Sequence, residues 1–353
     1  MSSMKYKWLI GILVVIAAVA VYFGLRVNVS NAPQGQDNPI TFDRGAKQQD
    51  QEVSLVAVGD IMLSRNVAAK MQANGNDYPF AEVTPLLQNS DITFANLECP
   101  ITAGPVVPTG SMIFHANPGV QDALAKAGIK IVSLANNHTM NYGAKGMLDT
   151  VSYLDSVGIK HAGGGKDDVA AGAPVYFDIK GIKFAFLAYN DTDVIPDNYA
   201  AGPNHPGNNI MDIPKMQAAV KAAKQNADIV IVSMHSGTEY KAPNQHQKDF
   251  AHAAIDAGAE MVIGHHPHVL QPIEKYNGHY IMYSLGNFVF DQMFSTETRQ
   301  SVLTKTYFNK QGLTRIEFTP LMIYDYSQPR VVTDDSEKAA ILKELNVTGT
   351  LYR

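Results

Sequence analysis

Residues 54–60 read SLVAVGD, an apolar run that ends in a glycine and a carboxylate. An unbroken apolar run of this length predicts a strand buried on both faces, as in the centre of an α/β sheet. Asp60 would then stand at the carboxyl end of that strand. Open α/β sheets bind their ligands at this edge, so Asp60 is a candidate site residue.

The same arrangement recurs at four later strands. Strands are predicted at 92–97, 130–134, 229–233 and 261–263, with helices near 118–127, 144–157, 212–226 and 244–257. The polar residues at these strand ends are Glu98, then Asn136, Asn137 and His138, then His235, and finally His265, His266 and His268. Hairpins are predicted across Lys180-Gly181, Asn277-Gly278 and 309–312. Strands alternating with helices predict an α/β fold in which these strand ends meet in one crevice.

Each of these residues also has an ordinary structural explanation. An Asp after a strand often caps a helix or a turn, and a His after a buried strand is more often a hydrogen-bonded interior group than a ligand. His266 and His268 give a stronger signal, because alternate residues of an extended segment point to the same side. Buried ionisable groups at five strand ends would be costly without a shared counter-ion. As a set, they predict a metal site.

The composition excludes several classes of protein and site. The chain has 353 residues, of which 46% are apolar and 17% charged, enough for one large domain or two modest ones with a core. The 28 Lys and Arg face 33 Asp and Glu without a dense basic run, so we expect no nucleic-acid partner. Cys99 is the single cysteine, which excludes an internal disulfide and a Cys-rich metal site. Any metal must therefore be bound by imidazole, carboxylate and amide groups.

The N-terminal region predicts a membrane anchor. The run at 8–25 is apolar, follows Lys5 and Lys7, and would span about 27 Å as a helix, close to the thickness of the hydrocarbon core. The positive-inside rule places the N-terminus in the cytoplasm and the body of the protein outside the cell. The alternative is a cleaved signal peptide, because Ala18-Val19-Ala20 has the form of a cleavage site, but the apolar run continues beyond it.

We therefore expect a single-pass protein of the cell membrane with an N-terminal transmembrane helix. The predicted divisions are an anchor at 1–26, a polar linker at 27–52, an α/β body at 53–325 and a C-terminal tail at 326–353.

Six motifs together resemble one known family. They are VGDIML at 58–63 with Arg65, NLECP at 96–100, ANNHT at 135–139, HSGTEY at 235–240, GHHPHVLQ at 264–271 and YSLGNFVFD at 283–291. In order and spacing they resemble the CapA/PgsA group of poly-γ-glutamate capsule synthesis proteins, which belongs to the calcineurin-like metallophosphoesterase superfamily. The resemblance covers about residues 53–325. It implies a metallophosphatase-like sandwich of two sheets flanked by helices, with a metal centre at one sheet edge.

The resemblance also implies roles for individual residues. The implied metal ligands are Asp60, Glu98, Asn137, His235, His266 and His268, which would hold one or two divalent ions of Mn, Fe or Zn. His138 would contact substrate oxygens or protonate the leaving group. Arg65 would contact an anionic substrate or form an ordinary salt bridge. Glu239 and Tyr240 would orient His235 or line the cleft. A divalent ion held by this set would generate hydroxide at neutral pH without a serine or cysteine nucleophile.

Two positions depart from the superfamily pattern. The first motif of the superfamily is Asp-x-His, but Met62 stands in the place of that histidine, and a thioether is a weak ligand for such ions. Thr139 stands where an aspartate would orient the histidine of the Asn-His pair.

Three functions therefore remain open. The first is an anchored hydrolase of a phosphoester or related bond in an envelope polymer. The second is a non-catalytic accessory protein that binds an anionic polymer or a membrane-bound synthase, and the third is an amide hydrolase that trims the polymer. Met62 favours the second function, and the otherwise full ligand set favours the first or the third.

Overall fold

Two large β-sheets organise residues 51–353, which are the residues described by this computed structural model. The strands are β1 (Val53–Ile61), β2 (Ile92–Leu97), β3 (Ile131–Ser133), β4 (Lys160–Ala162), β5 (Gly164–Gly165), β6 (Val175–Ile179), β7 (Ile182–Asn190), β8 (Gly207–Asn208), β9 (Ile229–His235), β10 (Met261–His265), β11 (Ile273–Tyr276), β12 (His279–Met282), β13 (Asn287–Val289), β14 (Gln300–Asn309), β15 (Gly312–Tyr324), β16 (Gln328–Val331) and β17 (Leu351–Tyr352). The α-helices are α1 (Arg65–Asn74), α2 (Thr84–Gln88), α3 (Val120–Ala127), α4 (Gly143–Ser156), α5 (Asp168–Gly172), α6 (Ile213–Lys224), α7 (Gln245–Ala257) and α8 (Asp335–Glu344).

The first sheet has the strand order β16-β15-β14-β1-β2-β3-β4, with β13 beside the end of β1 and β17 beside β15. Strands β1 to β4 run parallel, whereas β14 to β16 are antiparallel. The second sheet has the order β11-β12-β10-β9-β7-β6, and its central strands β7, β9, β10 and β12 are parallel. Because neighbouring strands are parallel in the centre of both sheets, their carboxyl ends lie along common edges.

The two sheets pack face to face, and helices cover their outer faces. Leu55 and Ala57 of β1 join Phe94, Phe186 and other residues of both sheets in the apolar interior between the sheets. The alternate residues of β1 point the other way and pack in a cluster with residues of α1 to α4. Helices α6 and α7 cover the second sheet in the same manner. Burial on both faces explains the unbroken apolar run at 54–58 and confirms the predicted α/β class with two sheets flanked by helices.

Close backbone contact fixes the end of β1. A Cβ atom on Gly59 would lie 1.9 Å from the carbonyl oxygen of Gly286, which directly precedes β13. Only glycine therefore fits at this position of β1. The pairing of β1 with β2 shifts register between Ala57 and Asp60, and its pairing with β13 shifts again after Asp60. Such irregularities change the direction in which a side chain points, and here they aim Asp60 at the sheet edge.

Most predicted strands and helices are present with small differences in their ends. The strand that begins at Ile229 continues to His235, and the one that begins at Met261 continues to His265. All three predicted hairpins form antiparallel pairs. Helix α1 was not predicted, because only Val67 and Met71 of its ten residues are buried and the apolar periodicity is weak.

Residues 326–353 contribute β16, α8 and β17, and both strands pair with β15. The predicted anchor at 8–25 and residues 27–50 of the predicted linker lie outside the described residues, so both stay predictions. Within residues 51–353, no helix has the length and apolar character needed to cross a membrane.

Candidate metal centre

Side chains from both sheets converge at one edge of the sandwich. The first sheet contributes Asp60, Glu98, Asn137 and His138, and the second contributes His235, His266 and His268; all are buried except the half-buried Asn137. Short contacts connect the set: His268 lies 3.6 Å from Asp60 and 3.7 Å from Glu98, and His235 lies 3.0 Å from Asn137. The structure therefore brings together the six predicted metal ligands and His138.

Asp60 is the most contacted carboxylate of the group. Its Oδ1 accepts a hydrogen bond of 2.9 Å from the Asn96 side chain, and its Oδ2 accepts one of 3.3 Å from the backbone N–H of His266. Burial alone would raise its pKa, but contacts with the imidazoles of His265 and His268 hold the pKa of Asp60 well below its usual range. Asp60 is therefore an anionic oxygen donor at neutral pH.

The pKa of Glu98 is shifted in the opposite direction from that of Asp60. Its Oε1 is buried and has no hydrogen-bond partner among the described residues, although His138 and His268 each lie within 4.0 Å. Burial raises the pKa of Glu98 well above its usual value, and the nearby charges of Asp60 and Glu239 raise it further. Two buried carboxylates this close need a counter-charge, which a cation at this position would supply.

Two histidines of the second sheet, His235 and His266, are held as neutral imidazoles, and a ring nitrogen of His266 has no partner. Burial lowers the pKa of His266 to about 4, and burial with the neighbouring His266 lowers that of His235. Nδ1 of His266 is buried without a hydrogen-bond partner in residues 51–353. His266 and His268 have φ values of 98° and 57°, a left-handed backbone that costs free energy in residues with a side chain. Neutral imidazoles held in this way are the form that metal ions bind.

His138 is oriented by an amide. Its Nδ1 lies 2.9 Å from Oδ1 of Asn141, and the same Oδ1 accepts the backbone N–H of Phe114 at 2.8 Å. An oxygen that accepts from Phe114 requires a proton on Nδ1 of His138, which leaves Nε2 facing Glu98. The imidazole also stacks on the Phe114 ring with centroids 3.9 Å apart, and burial lowers its pKa to about 4.

Arg65 lies at the margin of the centre and already has a partner. It forms an ion pair with Asp291, donates to the carbonyl oxygen of Ser111 at 3.0 Å, and lies over the Phe114 ring at 4.5 Å. Asp291 also accepts the backbone N–H of Asn66 at 3.2 Å, at the start of α1. Of the two roles predicted for Arg65, the structure contains the salt bridge, and contact with a substrate stays a prediction.

Met62 does not replace the missing imidazole. Its side chain is fully buried in the cluster beneath α1, and its sulfur accepts the backbone N–H of Ser64 at 3.1 Å. The thioether is therefore part of the core.

Three residues at the centre, Asn96, Asn141 and Asn287, had no predicted role, and a fourth, Glu239, was predicted to orient His235 or line the cleft but lies close to two other histidines. Asn96 links Asp60 to His235, Asn287 contacts Nδ1 of His268 at 2.9 Å, Asn141 orients His138, and the Glu239 carboxylate lies close to His266 and His268. Asn96, Glu239 and Asn287 lie in motifs that the sequence analysis singled out. Only the fold reveals which atom each of them meets.

The donors present suit a divalent cation. One group consists of Asp60, Glu98 and His268, and a second of Glu239, His266 and His268, and within each group the potential ligand atoms lie within 4.8 Å of one another. Ligands about 2.1 Å from a common ion can be up to about 4.2 Å apart, so small side-chain rotations would close either group around an ion. The unpartnered Oε1 of Glu98 and Nδ1 of His266 are the buried donors that such an ion would satisfy.

Comparison with known proteins identifies the family. The family described as bacterial capsule synthesis protein PGA_cap matches residues 54–292. The chain is 37% identical to the PGA biosynthesis protein CapA of Bacillus subtilis (strain 168) over 300 residues, which cover 84% of this chain and 78% of the relative. It is 31% identical to a probable polyglutamine synthesis accessory protein of Mycobacterium tuberculosis, with 74% of each chain covered.

Among solved structures, the sulfate thiohydrolase SoxB of Thermus thermophilus aligns with a TM-score of 0.44 and 12% identity, over 79% of this chain and 48% of the other. That similarity is too low to assign a fold. The family match and the two relatives agree with the resemblance of the six motifs. The chain belongs to the bacterial capsule synthesis protein family.

Proposed function

We propose that this protein is a metal-dependent hydrolase of the phosphoesterase type that acts in the synthesis or export of a capsule polymer. The observation that carries the proposal is the convergence of buried, unpartnered donors from both sheets, above all Oε1 of Glu98 and Nδ1 of His266. Such atoms are costly to bury without a partner, and a divalent cation is the partner that suits both. A metallophosphatase-like arrangement of the two sheets is part of this proposal.

A divalent ion supplies Lewis acidity and a hydroxide nucleophile at neutral pH. The residues of the chain position the reactants around it. Asp60 and Glu98 would supply carboxylate oxygens to such an ion, Asn137 an amide oxygen, and His235, His266 and His268 imidazole nitrogens. Asn141 holds the proton of His138 on Nδ1, so Nε2 is the unprotonated nitrogen and can accept a proton from a group in the cleft. Phe114 shields one face of that imidazole from water.

The polymer is proposed from the family and its relatives. A relative named for PGA biosynthesis supports poly-γ-glutamate, or a phosphoester intermediate of its assembly, as the material handled by this chain. A relative named as a synthesis accessory protein supports association with a membrane-bound synthase complex.

A second function, a non-catalytic accessory protein, is favoured by a specific observation. The Met62 sulfur is hydrogen-bonded in the core, so one imidazole of the superfamily's first motif has no counterpart at that position. In this alternative the metal holds the shape of a cleft that binds the anionic polymer or the synthase. An amide hydrolase that trims the polymer is the third possibility, and it uses the same ligands.

One experiment separates the three. The full chain is loaded with Mn²⁺, its metal content is measured, and hydrolysis is assayed on p-nitrophenyl phosphate, on bis-p-nitrophenyl phosphate and on poly-γ-glutamate. His266→Ala is the control, because it removes a ligand from the centre. Turnover of a phosphoester above the control supports the proposal, and cleavage of the polymer supports the amide hydrolase. Bound metal without turnover of any substrate leaves the accessory function.

We further propose that residues 8–25 anchor the protein and that the described body lies outside the cell. The support is the apolar run with lysines on its N-terminal side. Protease added to intact cells should remove the body from the membrane fraction and leave an N-terminal fragment inside. Full protection of the body in intact cells would contradict this topology.

A further inference from the structure

We propose that Glu239 is a metal ligand of this centre and adds a donor to a site that has Met62 in place of the first-motif histidine of the superfamily. The inference rests on the metal centre of the proposed function, but it does not depend on catalysis. The superfamily pattern described above assigns no ligand to the position of Glu239. The new claim is that the loop between β9 and α7 provides a carboxylate where the first motif provides none.

Geometry gives the first support. A carboxylate oxygen of Glu239 and one ring nitrogen each of His266 and His268 lie within 4.8 Å of one another. His268 also belongs to the group with Asp60 and Glu98, so the two groups are adjacent and share a member. Glu239 therefore extends the donor set that begins at Asp60.

The charge of the centre gives the second support for Glu239 as a ligand. Asp60, Glu98 and Glu239 bring three carboxyl groups together around His268. Within residues 51–353, Glu239 has no ion-pair partner, and Arg65 at the margin of the centre is already paired with Asp291. A cation between these groups would offset the repulsion that the protein side chains leave.

The backbone gives the third support, because a hydrogen bond connects the loop of Glu239 to the loop of His266 and His268. The N–H of Tyr240 donates to the carbonyl oxygen of Pro267 at 2.9 Å, so Glu239 is held beside the segment that carries His266 and His268. Tyr240 has a φ of 60°, and Gly237 has a φ of 120° with the Gln247 side chain 2.6 Å from where its Cβ would be. A loop fixed in this strained form presents Glu239 in one place.

Replacing an imidazole by a carboxylate has a chemical consequence. Carboxylate-rich sites suit Mn²⁺ and Mg²⁺ better than imidazole-rich sites do, whereas imidazole suits Zn²⁺. We therefore expect Glu239 to matter most for the affinity of Mn²⁺.

The test is a calorimetric titration of the metal-free full chain with MnCl₂, together with thermal melting with and without Mn²⁺. The variants are Glu239→Gln, Glu239→Asp and the control Glu82→Gln, which neutralises an exposed glutamate outside the centre. We expect Glu239→Gln to weaken Mn²⁺ binding by about tenfold or more, because loss of a residue that merely supports a ligand already costs about 10- to 100-fold. Glu239→Asp should recover part of the affinity, and Glu82→Gln should match the wild type.

Melting distinguishes a ligand from a structural residue. Without metal, Glu239→Gln should melt at the same temperature as the wild type or higher, because it removes a like charge from beside Asp60 and Glu98. With Mn²⁺ bound, the wild type should have the higher melting temperature of the two. Unchanged Mn²⁺ affinity in Glu239→Gln would overturn the assignment, as would weaker binding accompanied by a lower melting temperature of the metal-free variant.

The outcome is separable from that of the proposed function. If the wild type binds Mn²⁺ through Glu239 but hydrolyses nothing, the ligand assignment stands and the hydrolase fails. If the wild type shows Mn²⁺-dependent hydrolysis and Glu239→Gln binds Mn²⁺ equally well, the assignment fails and the hydrolase stands. If the wild type binds none of Mn²⁺, Fe²⁺ and Zn²⁺, both fail.

Discussion

Asn141 holds His138 from three residues further along the chain, with 2.9 Å between Oδ1 of the amide and Nδ1 of the imidazole. The superfamily pattern has an aspartate directly after the histidine, where this chain has Thr139. Thr139 instead donates to the side chain of Asn136 and helps to fix the loop. The orienting group is thus a neutral amide that reaches the same ring from another position.

If this contact positions His138, Asn141→Ala should lower kcat by about 10- to 100-fold, since groups that orient site residues have effects of that size. Mn²⁺ affinity should not change, because Asn141 contacts none of the predicted ligands. The measurement is the steady-state rate on the phosphoester that the wild type cleaves, with Mn²⁺ titration alongside. The exposed Asn74→Ala is the matched control, and a rise in KM with kcat unchanged would argue against a positioning role.

The ion pair between Arg65 and Asp291 is expected to be a large contributor to stability. The side chains are only 8% and 4% exposed, so removal of one partner leaves the other charge buried and unpaired. Asp291→Ala should lower the free energy of unfolding by about 3–5 kcal/mol. Urea denaturation followed by circular dichroism measures this. The double variant Arg65→Met with Asp291→Leu should recover most of the loss, and a double variant no more stable than Asp291→Ala would refute the explanation.

Gly59 is expected to tolerate no larger side chain. A Cβ at this position would lie 1.9 Å from the Gly286 carbonyl oxygen, which belongs to the backbone and cannot rotate away. Gly59→Ala should destabilise the protein by about 1–3 kcal/mol or more and displace Asp60. The melting temperature and the affinity for Mn²⁺ should both be lower than in the wild type. Gly349→Ala is the control, since a Cβ there meets no atom within 4 Å, and equal melting of the two variants would contradict the close contact.

Cys99 should be unreactive in the folded protein. It is fully buried, its sulfur accepts the backbone N–H of Leu63 at 3.4 Å, and burial raises its pKa to about 12. The reactive thiolate should therefore be almost absent at pH 8, and a colorimetric thiol reagent should react only as fast as the protein unfolds. In denaturant the thiol should react at once. Ser156→Cys adds an exposed thiol as a positive control, and a second fast-reacting thiol in that variant's native state would show that Cys99 is accessible.

The centre of the fold could be predicted from the sequence because β1 is buried on both faces. An unbroken apolar run followed by Asp60 is a local pattern, and its repetition before Glu98, His138 and His235 places several polar groups at common sheet edges. Parallel pairing then brings them together, since it aligns the carboxyl ends of neighbouring strands.

The parts that escaped prediction depend on contacts between distant residues. Arg65 and Asp291 are separated by 226 positions, and nothing in either segment alone indicates the pair. Glu239 follows β9 by a few residues, but its position beside His266 depends on the bond from Tyr240 to Pro267. Local sequence patterns do not indicate which loops contact each other in the folded protein.

Each sheet carries about half of the candidate metal ligands. The affinity for an ion therefore depends on how the two sheets pack against each other. Phe94 of the first sheet stacks on Phe186 of the second at 5.9 Å and also contacts the His265 ring at 5.8 Å. Trimming either phenylalanine would remove packing between the two sheets without removing any predicted ligand. Weak metal retention in a variant of this protein is therefore to be expected from damage deep between the sheets as well as from a lost ligand.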